Sequence, residues 1–456
     1  MMKKTIIIFV LLLFTLTLFS NTAFGASDEQ SCHSLQARQM LAAGEKYKGT
    51  ATAVILYERN TQTMVFAHNP DRSINPTGLV KLLSALIVLE EGNLDDIVTV
   101  KRSTLNSVGV GAVSAGLKAG EELSLRDLLY CVMVSSANDA AAVMAEHVAG
   151  SQAAFVQKMN AKAATLGCLN THFTNVHGLK DERQHSTARD MAIIIDEALK
   201  NPQFAQFFGA TSYVVPATNL SDARNLKTTN YMMDENRPYY DSRVTGGKPA
   251  AATTSDRSVA CVAQSANCEY LVVVISAQAK MSGSAVSRYT NYDEASALLD
   301  RGFDGFSVQQ VLGTAQPFGL YPVVNGVNHV VVGPDADVYA LLPLDFDFAL
   351  LQLQDVRAEA ALVAPLKEGT VVGSLDIYYD SVFIGKVDIL ARHDVAAYSE
   401  DNPMDIIADK PNENSMRSIL KWAVVVVVLA VVLVFMGLII KNRKKSAPKR
   451  KMKEEA

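Results

Sequence analysis

The stretch from Asn75 to Gly92, NPTGLVKLLSALIVLEEG, constrains the fold of this chain more than any other. Pro76 and Thr77 are helix start signals and Gly92 is a stop, so the spacing predicts one helix between them. Its body is apolar on nearly every face, the pattern of a helix buried on all sides rather than one lying on a surface. Such a helix needs a long chain around it, and 456 residues supply two folded domains. One charge, Lys81, sits about one turn into this apolar body. An isolated buried ammonium is costly, so Lys81 must be paired, reach solvent or titrate. It is therefore a partner for a carboxylate or a base in a cleft.

Both ends of the chain read as membrane-related. Residues 1–25 start with Lys3 and Lys4, continue through an apolar run and end on small residues at Ala23 and Gly25, which predicts a signal peptide cleaved after Gly25. The other reading of the same pattern is an uncleaved N-terminal anchor. Residues 419–440 are apolar from Trp422 to Ile440 without a charge, enough for one membrane-spanning helix. The tail 441–456 is basic, which by positive-inside logic is cytoplasmic and puts everything before the span outside a cell membrane. The net charge of −5 supports this: without the tail (eight basic and two acidic residues), Lys3 and Lys4, about −13 remains for the exported part. So acidic a body does not suggest nucleic-acid binding.

The five cysteines, Cys32, Cys131, Cys168, Cys261 and Cys268, form an odd set without metal-ligand spacing. Cys261 and Cys268 flank a turn and are either bridged or two buried thiols. His177 and His185 read as loop-stabilising residues, and no metal or cofactor is implied.

Along the chain, alternation at 51–57 and 62–67 predicts a hairpin. Helices are expected at Leu123–Val134, Ala140–Val148, Ser151–Leu166, 187–199 and Asp293–Leu299, with strands near 256–264 and 269–277. Residues 204–245 read as irregular. After 305 the sequence alternates Val, Leu and Tyr with turn residues and predicts a small all-β sandwich over 306–400, followed by a polar linker at 401–418.

Three stretches carry a resemblance. Lys81 follows Pro76 in the apolar helix, Ser136-Ala137-Asn138 interrupts two helices, and Val244-Thr245-Gly246-Gly247-Lys248 leads into a strand edge. Their order and spacing resemble the serine-type D-Ala-D-Ala carboxypeptidases, a penicillin-binding protein family with Ser-x-x-Lys, Ser-x-Asn and Lys-Thr-Gly motifs. Asn175–Leu179, His185–Met191 and Leu298–Phe303 add to it, over roughly residues 45–395. The resemblance implies an α/β (α+β) transpeptidase-like domain at 26–305 and the later β-sandwich. It also implies Lys81, Ser136 and Asn138 as catalytic-site residues, Lys248 and the Ala251 N–H at the substrate edge, and peptidoglycan stem peptides ending in D-Ala-D-Ala as ligands.

The chemistry departs from the family. The position of the nucleophilic serine is Gly78, and Lys-Thr-Gly reads Lys248-Pro249-Ala250. A glycine cannot attack a carbonyl, and loss of the nucleophile costs a serine hydrolase on the order of a millionfold in turnover. Pro249 lacks both the hydroxyl and a backbone donor, and Ala250 adds a methyl. The expectation is a non-catalytic family member that binds cell-wall peptide or a wall protein. The alternatives are a residual hydrolase using Thr77, Ser136 or water, and a structural envelope scaffold. In the bland readings Thr77 is a helix cap, Ser136 and Asn138 bridge helices, and Lys248 is a solvated strand-edge charge.

Overall fold

Residues 51–57 and 62–67 do form a hairpin, of β1 (Ala53–Glu58) and β2 (Thr63–His68). The computed structural model describes residues 46–399 apart from 110 and 358–360. The segments 1–25, 419–440 and 441–456, read as signal peptide, membrane span and tail, lie outside the described residues. Among the described residues no helix is long and apolar enough to cross a membrane.

The long apolar stretch begins as a 3-10 turn at Thr77–Leu79 and continues as α1 (Val80–Glu91). All of Val80–Val88 is buried, because other helices surround it. In chain order these are α2 (Arg102–Asn106), α3 (Leu125–Ser135), α4 (Asn138–Ala149), α5 (Gln152–Thr165), α6 (Ala188–Leu199) and α7 (Pro202–Phe208). α1 packs against α3, α4, α5, α6 and α7. Short antiparallel pairs, β3 (Ile97–Thr99) with β4 (Glu122–Ser124) and β5 (Ser212–Val215) with β6 (Arg224–Lys227), tie loops to this layer.

Against the helices lies an antiparallel sheet completed by β7 (Val244–Ala251), β8 (Asp256–Ser265) and β9 (Cys268–Gln278), in the order β2-β1-β9-β8-β7. Period-two alternation divides its side chains between two cores. Ile55, Tyr57, Ala260, Val262, Leu271 and Val273 face the helical layer. Val54, Leu56, Val259, Cys261, Val272 and Val274 face the opposite side, where β10 (Lys280–Ser282) and β11 (Ala285–Arg288) lead into α8 (Thr290–Gly305). α8 covers that face with Tyr292, Ala295, Leu298 and Leu299. Burial on both faces explains why the centre of β9 is an unbroken run of Leu, Val and Ile.

By contacts, residues 46–318, 333–357 and 371–390 form one unit, and 319–332, 361–370 and 391–399 another. The first also contains β12 (Phe306–Leu312), which pairs with β15 (Val338–Pro343), and the run β16 (Leu351–Arg357), β17 (Val371–Tyr379) and β18 (Val382–Ala391). In the second, β13 (Gly319–Tyr321) pairs with the start of β14 (Val330–Pro334), and bridges join Val324 to Val363 and Leu366 to Val395.

Two expectations need correction, and one open alternative is decided. Residues 204–245 are not irregular throughout: Asn201 caps α7 through Oδ1 with Pro202 in the first turn, and the β5–β6 hairpin follows. The helix expected at Asp293–Leu299 runs from Thr290 to Gly305. Of the two readings left open for Cys261 and Cys268, the unbridged one holds, since the hairpin register sets Cys261 opposite Val272 and Cys268 opposite Ser265. Both are buried thiols, as are Cys131 and Cys168. Burial pushes the Cys131 and Cys261 thiols up to about 12, so neither offers thiolate near neutrality. In a Cys32→Ser chain, Ellman's reagent should therefore report almost no thiol under native conditions and four after denaturation with guanidinium. Rapid native labelling would refute the burial.

Candidate active site

The turn that opens α1 is held under strain. Thr77 adopts φ +49°, a left-handed conformation costly for a β-branched residue. Its Oγ1 is buried without a hydrogen-bond partner among the described residues. Thr77 therefore neither caps the helix nor reaches a ligand, and the idea of Thr77 as substitute nucleophile fails on burial. Gly178 packs directly on this turn: a Cβ there would lie 1.8 Å from the Thr77 carbonyl oxygen, so no other residue fits.

Gly78 and Lys81 both line a cleft of about 580 Å³. A Cβ at Gly78 would lie 3.8 Å from Lys81 Nζ and 3.4 Å from the Ala250 methyl, so the register expected for Ser-x-x-Lys is present without its hydroxyl. Lys81 is 2% exposed and its Nζ donates to the His177 carbonyl at 2.5 Å. Burial lowers the Lys81 amine to about 7. His177, buried and beside the Lys81 charge, is lowered to about 4 and is neutral at physiological pH.

Ser136 ends α3 in a left-handed conformation (φ 62°) and Asn138 begins α4; both line the cleft. The backbone N–H of Asn138 donates to Val113 at 2.8 Å. Asp139 pins the facing loop by accepting from Ser114 Oγ (2.5 Å), the Ala115 N–H (2.9 Å) and the Leu117 N–H (3.2 Å). Placed at the α4 N-terminus, this carboxylate also complements the helix dipole. The structure thus brings Gly78, Lys81, Ser136 and Asn138 to one cleft.

β7 is the edge strand that forms another wall, with Pro249, Ala250 and Ala251 lining the cleft. Lys248 does not. It is fully buried, and its Nζ donates to the carbonyls of Val132 (2.8 Å) and Met133 (3.3 Å) in the last turn of α3. The solvated strand-edge reading of Lys248 is therefore overturned, and its ammonium faces a helix end rather than a ligand. A cation suits those C-terminal carbonyls, while burial and the nearby Lys81 charge hold its pKa well below the usual lysine value. Pro249 is tolerated because an edge strand leaves every second residue unpaired, and its nitrogen must point to the free edge. By the same alternation the Ala251 N–H points outward with it.

Sequence reasoning missed the rest of the wall. Thr228, Thr229, Tyr231, Arg237, Arg257 and Tyr289 also line the cleft. They come from separate loops and strands, and no local motif marks them.

The Lys81 amine generates a pH prediction. Its folded value near 7 lies below the unfolded value of 10.5, so the unfolded state binds more protons between the two and stability rises with pH across that window. Urea titrations of the full chain and of Lys81→Met should show the wild type gaining on the variant by a few kcal/mol from pH 7 to pH 10. A constant difference would contradict the burial of an ammonium here.

Comparison with known proteins agrees with this geometry. Residues 40–279 match the family model "D-alanyl-D-alanine carboxypeptidase". The chain is 24% identical over 350 residues to D-alanyl-D-alanine carboxypeptidase DacF of Bacillus subtilis, covering 76% of this chain and 86% of that protein. It is 27% identical over 356 residues to D-alanyl-D-alanine carboxypeptidase DacA of Haemophilus influenzae, covering 76% and 85%. Among solved structures, penicillin binding protein 5 of Haemophilus influenzae superposes with a TM-score of 0.63 at 25% identity, covering 77% of this chain and 99% of that one. A strained turn before a buried lysine, a Ser-x-Asn between two helices and a free strand edge, in one cleft of one matched domain, place this chain in the D-alanyl-D-alanine carboxypeptidase family.

Proposed function

We propose that this protein binds peptidoglycan stem peptides ending in D-Ala-D-Ala, or a wall protein that imitates them, without hydrolysing them. In this reading the ectodomain stands outside a cell membrane on the 419–440 span, with the basic tail in the cytoplasm. The observation that carries it is the empty place at Gly78: backbone, lysine and Ser136–Asn138 are in register, and the attacking atom is missing. Relatives named D-alanyl-D-alanine carboxypeptidases support the ligand class.

The change at Ala250 supports the same reading. Its methyl would stand 3.4 Å from a Cβ at position 78, ordinary contact, so a serine is accommodated but with its reach over β7 narrowed. Pro249 removes a donor from the edge that an extended peptide would pair with. The two alterations bear on different steps, attack and substrate alignment, and act in one direction.

A fluorescent penicillin tests this on the full chain. No covalent label is expected on the wild type, and robust labelling would defeat the non-catalytic reading. Gly78→Ser alone should restore little acylation. Gly78→Ser with Pro249→Thr and Ala250→Gly should restore at least about tenfold more, corresponding to one improved transition-state contact. Equal labelling of the single and triple variants would show that the Pro-Ala edge is harmless.

A further inference from the structure

The neck of the 173–184 loop carries two histidines that the cleft does not use. His172 and His185 form an antiparallel bridge: the His172 N–H donates to the His185 carbonyl at 2.8 Å, and the His185 N–H to the His172 carbonyl at 3.0 Å. Residues directly opposite in such a pair project to the same face. Both residues are exposed, and their ring centres lie 6.0 Å apart with 36° between the planes. With Zn–N bonds of about 2.0 Å, two imidazoles on one ion have ring centres roughly 5–6 Å apart. The pair therefore stands at chelating distance, and a small side-chain rotation closes it on an ion.

The ring of His185, read from the sequence as a loop-stabilising residue, is already oriented. Its Nδ1 lies 2.9 Å from the Arg183 carbonyl. A carbonyl only accepts, so Nδ1 carries the proton and Nε2 of the neutral ring keeps its lone pair. A backbone carbonyl behind the far nitrogen is the usual outer partner of a metal-bound histidine, fixing its tautomer and its plane. The backbone beneath is held too. Thr171 Oγ1 donates to Asp190 Oδ2 at 2.7 Å and lies 2.8 Å from Ser186 Oγ, while the Asn170 N–H reaches the same Asp190 oxygen at 3.0 Å. Asp190 is buried and spent on these bonds, so it is no ligand. Among the described residues no group of three or more His, Cys, Asp or Glu could hold an ion. The protein thus offers two nitrogens and leaves the other positions to water.

We propose that His172 and His185 form a two-histidine site for a divalent cation of the Zn²⁺ class, and that the ion clips the neck of the 173–184 loop. Imidazole suits Zn²⁺ and its late first-row neighbours, whereas Mg²⁺ and Ca²⁺ take oxygen ligands. Two protein ligands make a labile site, filled and emptied with the supply of the ion, rather than a permanent structural centre. The loop it closes forms part of the cleft wall through His177, Gly178 and Leu179. That loop also receives the Lys81 amine on the His177 carbonyl and seats Gly178 on the Thr77 turn. Joining the two strands through their side chains adds a restraint to the two backbone bonds of the bridge, and so lowers the freedom of the loop between them. The site lies outside the three motifs and does not depend on whether the cleft takes a peptide.

The test is calorimetric titration of the full-length chain with ZnCl₂, after removal of metal with EDTA and dialysis, beside His172→Gln and His185→Gln. Both residues are exposed, so neither substitution opens a cavity in the core. The wild type should show one site that either substitution weakens by about tenfold or more, since a single imidazole loses the advantage of the linked pair. Hydrogen exchange read by mass spectrometry gives the second measurement. Saturating Zn²⁺ should slow the amides of 173–184 by about threefold or more in the wild type and leave them unchanged in His172→Gln. EDTA should reverse the effect, and Mg²⁺ should not produce it. Equal Zn²⁺ binding by wild type and both variants would overturn the site, the ion then lying elsewhere among the chain's eight histidines. No binding by the wild type at about 100 μM free Zn²⁺ would overturn it as well. Binding that needs both histidines but leaves the loop's exchange unchanged would overturn the clip.

Discussion

Two hydrogen bonds from α1 to one loop hold this site together. Lys81 Nζ donates to the His177 carbonyl at 2.5 Å, and Ser84 Oγ, one turn on, donates to the Val176 carbonyl at 2.8 Å. Both side chains are buried, so each bond stabilises more than it would in water, and breaking either leaves an orphaned carbonyl. The loop answers from its other side, with Gly178 seated on the Thr77 carbonyl and Asn175 Oδ1 accepting from the Gly178 N–H at 2.7 Å. The strained backbone at Thr77 persists because this interlock over-determines it.

Lys248 is the second clamp. By capping the carbonyl end of α3 it fixes the edge strand to the helix that delivers Ser136. The two clamps set the cleft's width from opposite sides, one between α1 and the 175–179 loop, the other between β7 and α3. Each is a buried lysine whose amine is satisfied by backbone carbonyls, and neither needs a serine hydroxyl to be stable.

The sequence made the central helix legible because its apolar body and its one lysine have a single physical solution, burial in a helical layer beside a cleft. The Ser136-Ala137-Asn138 break was legible as a polar interruption between two apolar runs. Lys248 was placed on the right strand with the wrong surroundings, since period-two alternation across Gly246 and Gly247 gives no apolar neighbours by which to judge its face. Arg237, Arg257 and the tyrosines of the cleft wall were not legible at all. Tyr231 and Tyr292 are 61 residues apart in the chain yet 5.5 Å apart between ring centres, a proximity only the packing of α8 on the sheet creates.

The pattern of what differs from the family motifs follows from what the fold requires. Lys81 and Lys248 carry buried side-chain hydrogen bonds, so altering either would disturb packing as well as chemistry. The side chains at 78, 249 and 250 carry no such bond. A Cβ at 78 meets only Ala250 and Lys81 Nζ, Pro249 occupies an edge position where no ladder bond is lost, and Ala250 faces the space that Gly78 leaves open. Gly78 and Ala250 even complement each other, the methyl of one turned toward the missing side chain of the other. The differing positions are thus ones whose side chains hold no part of the framework, while the two lysines are held in place by the architecture itself. Retention of Lys81 and Lys248 is for this reason a statement about folding and not, by itself, about catalysis.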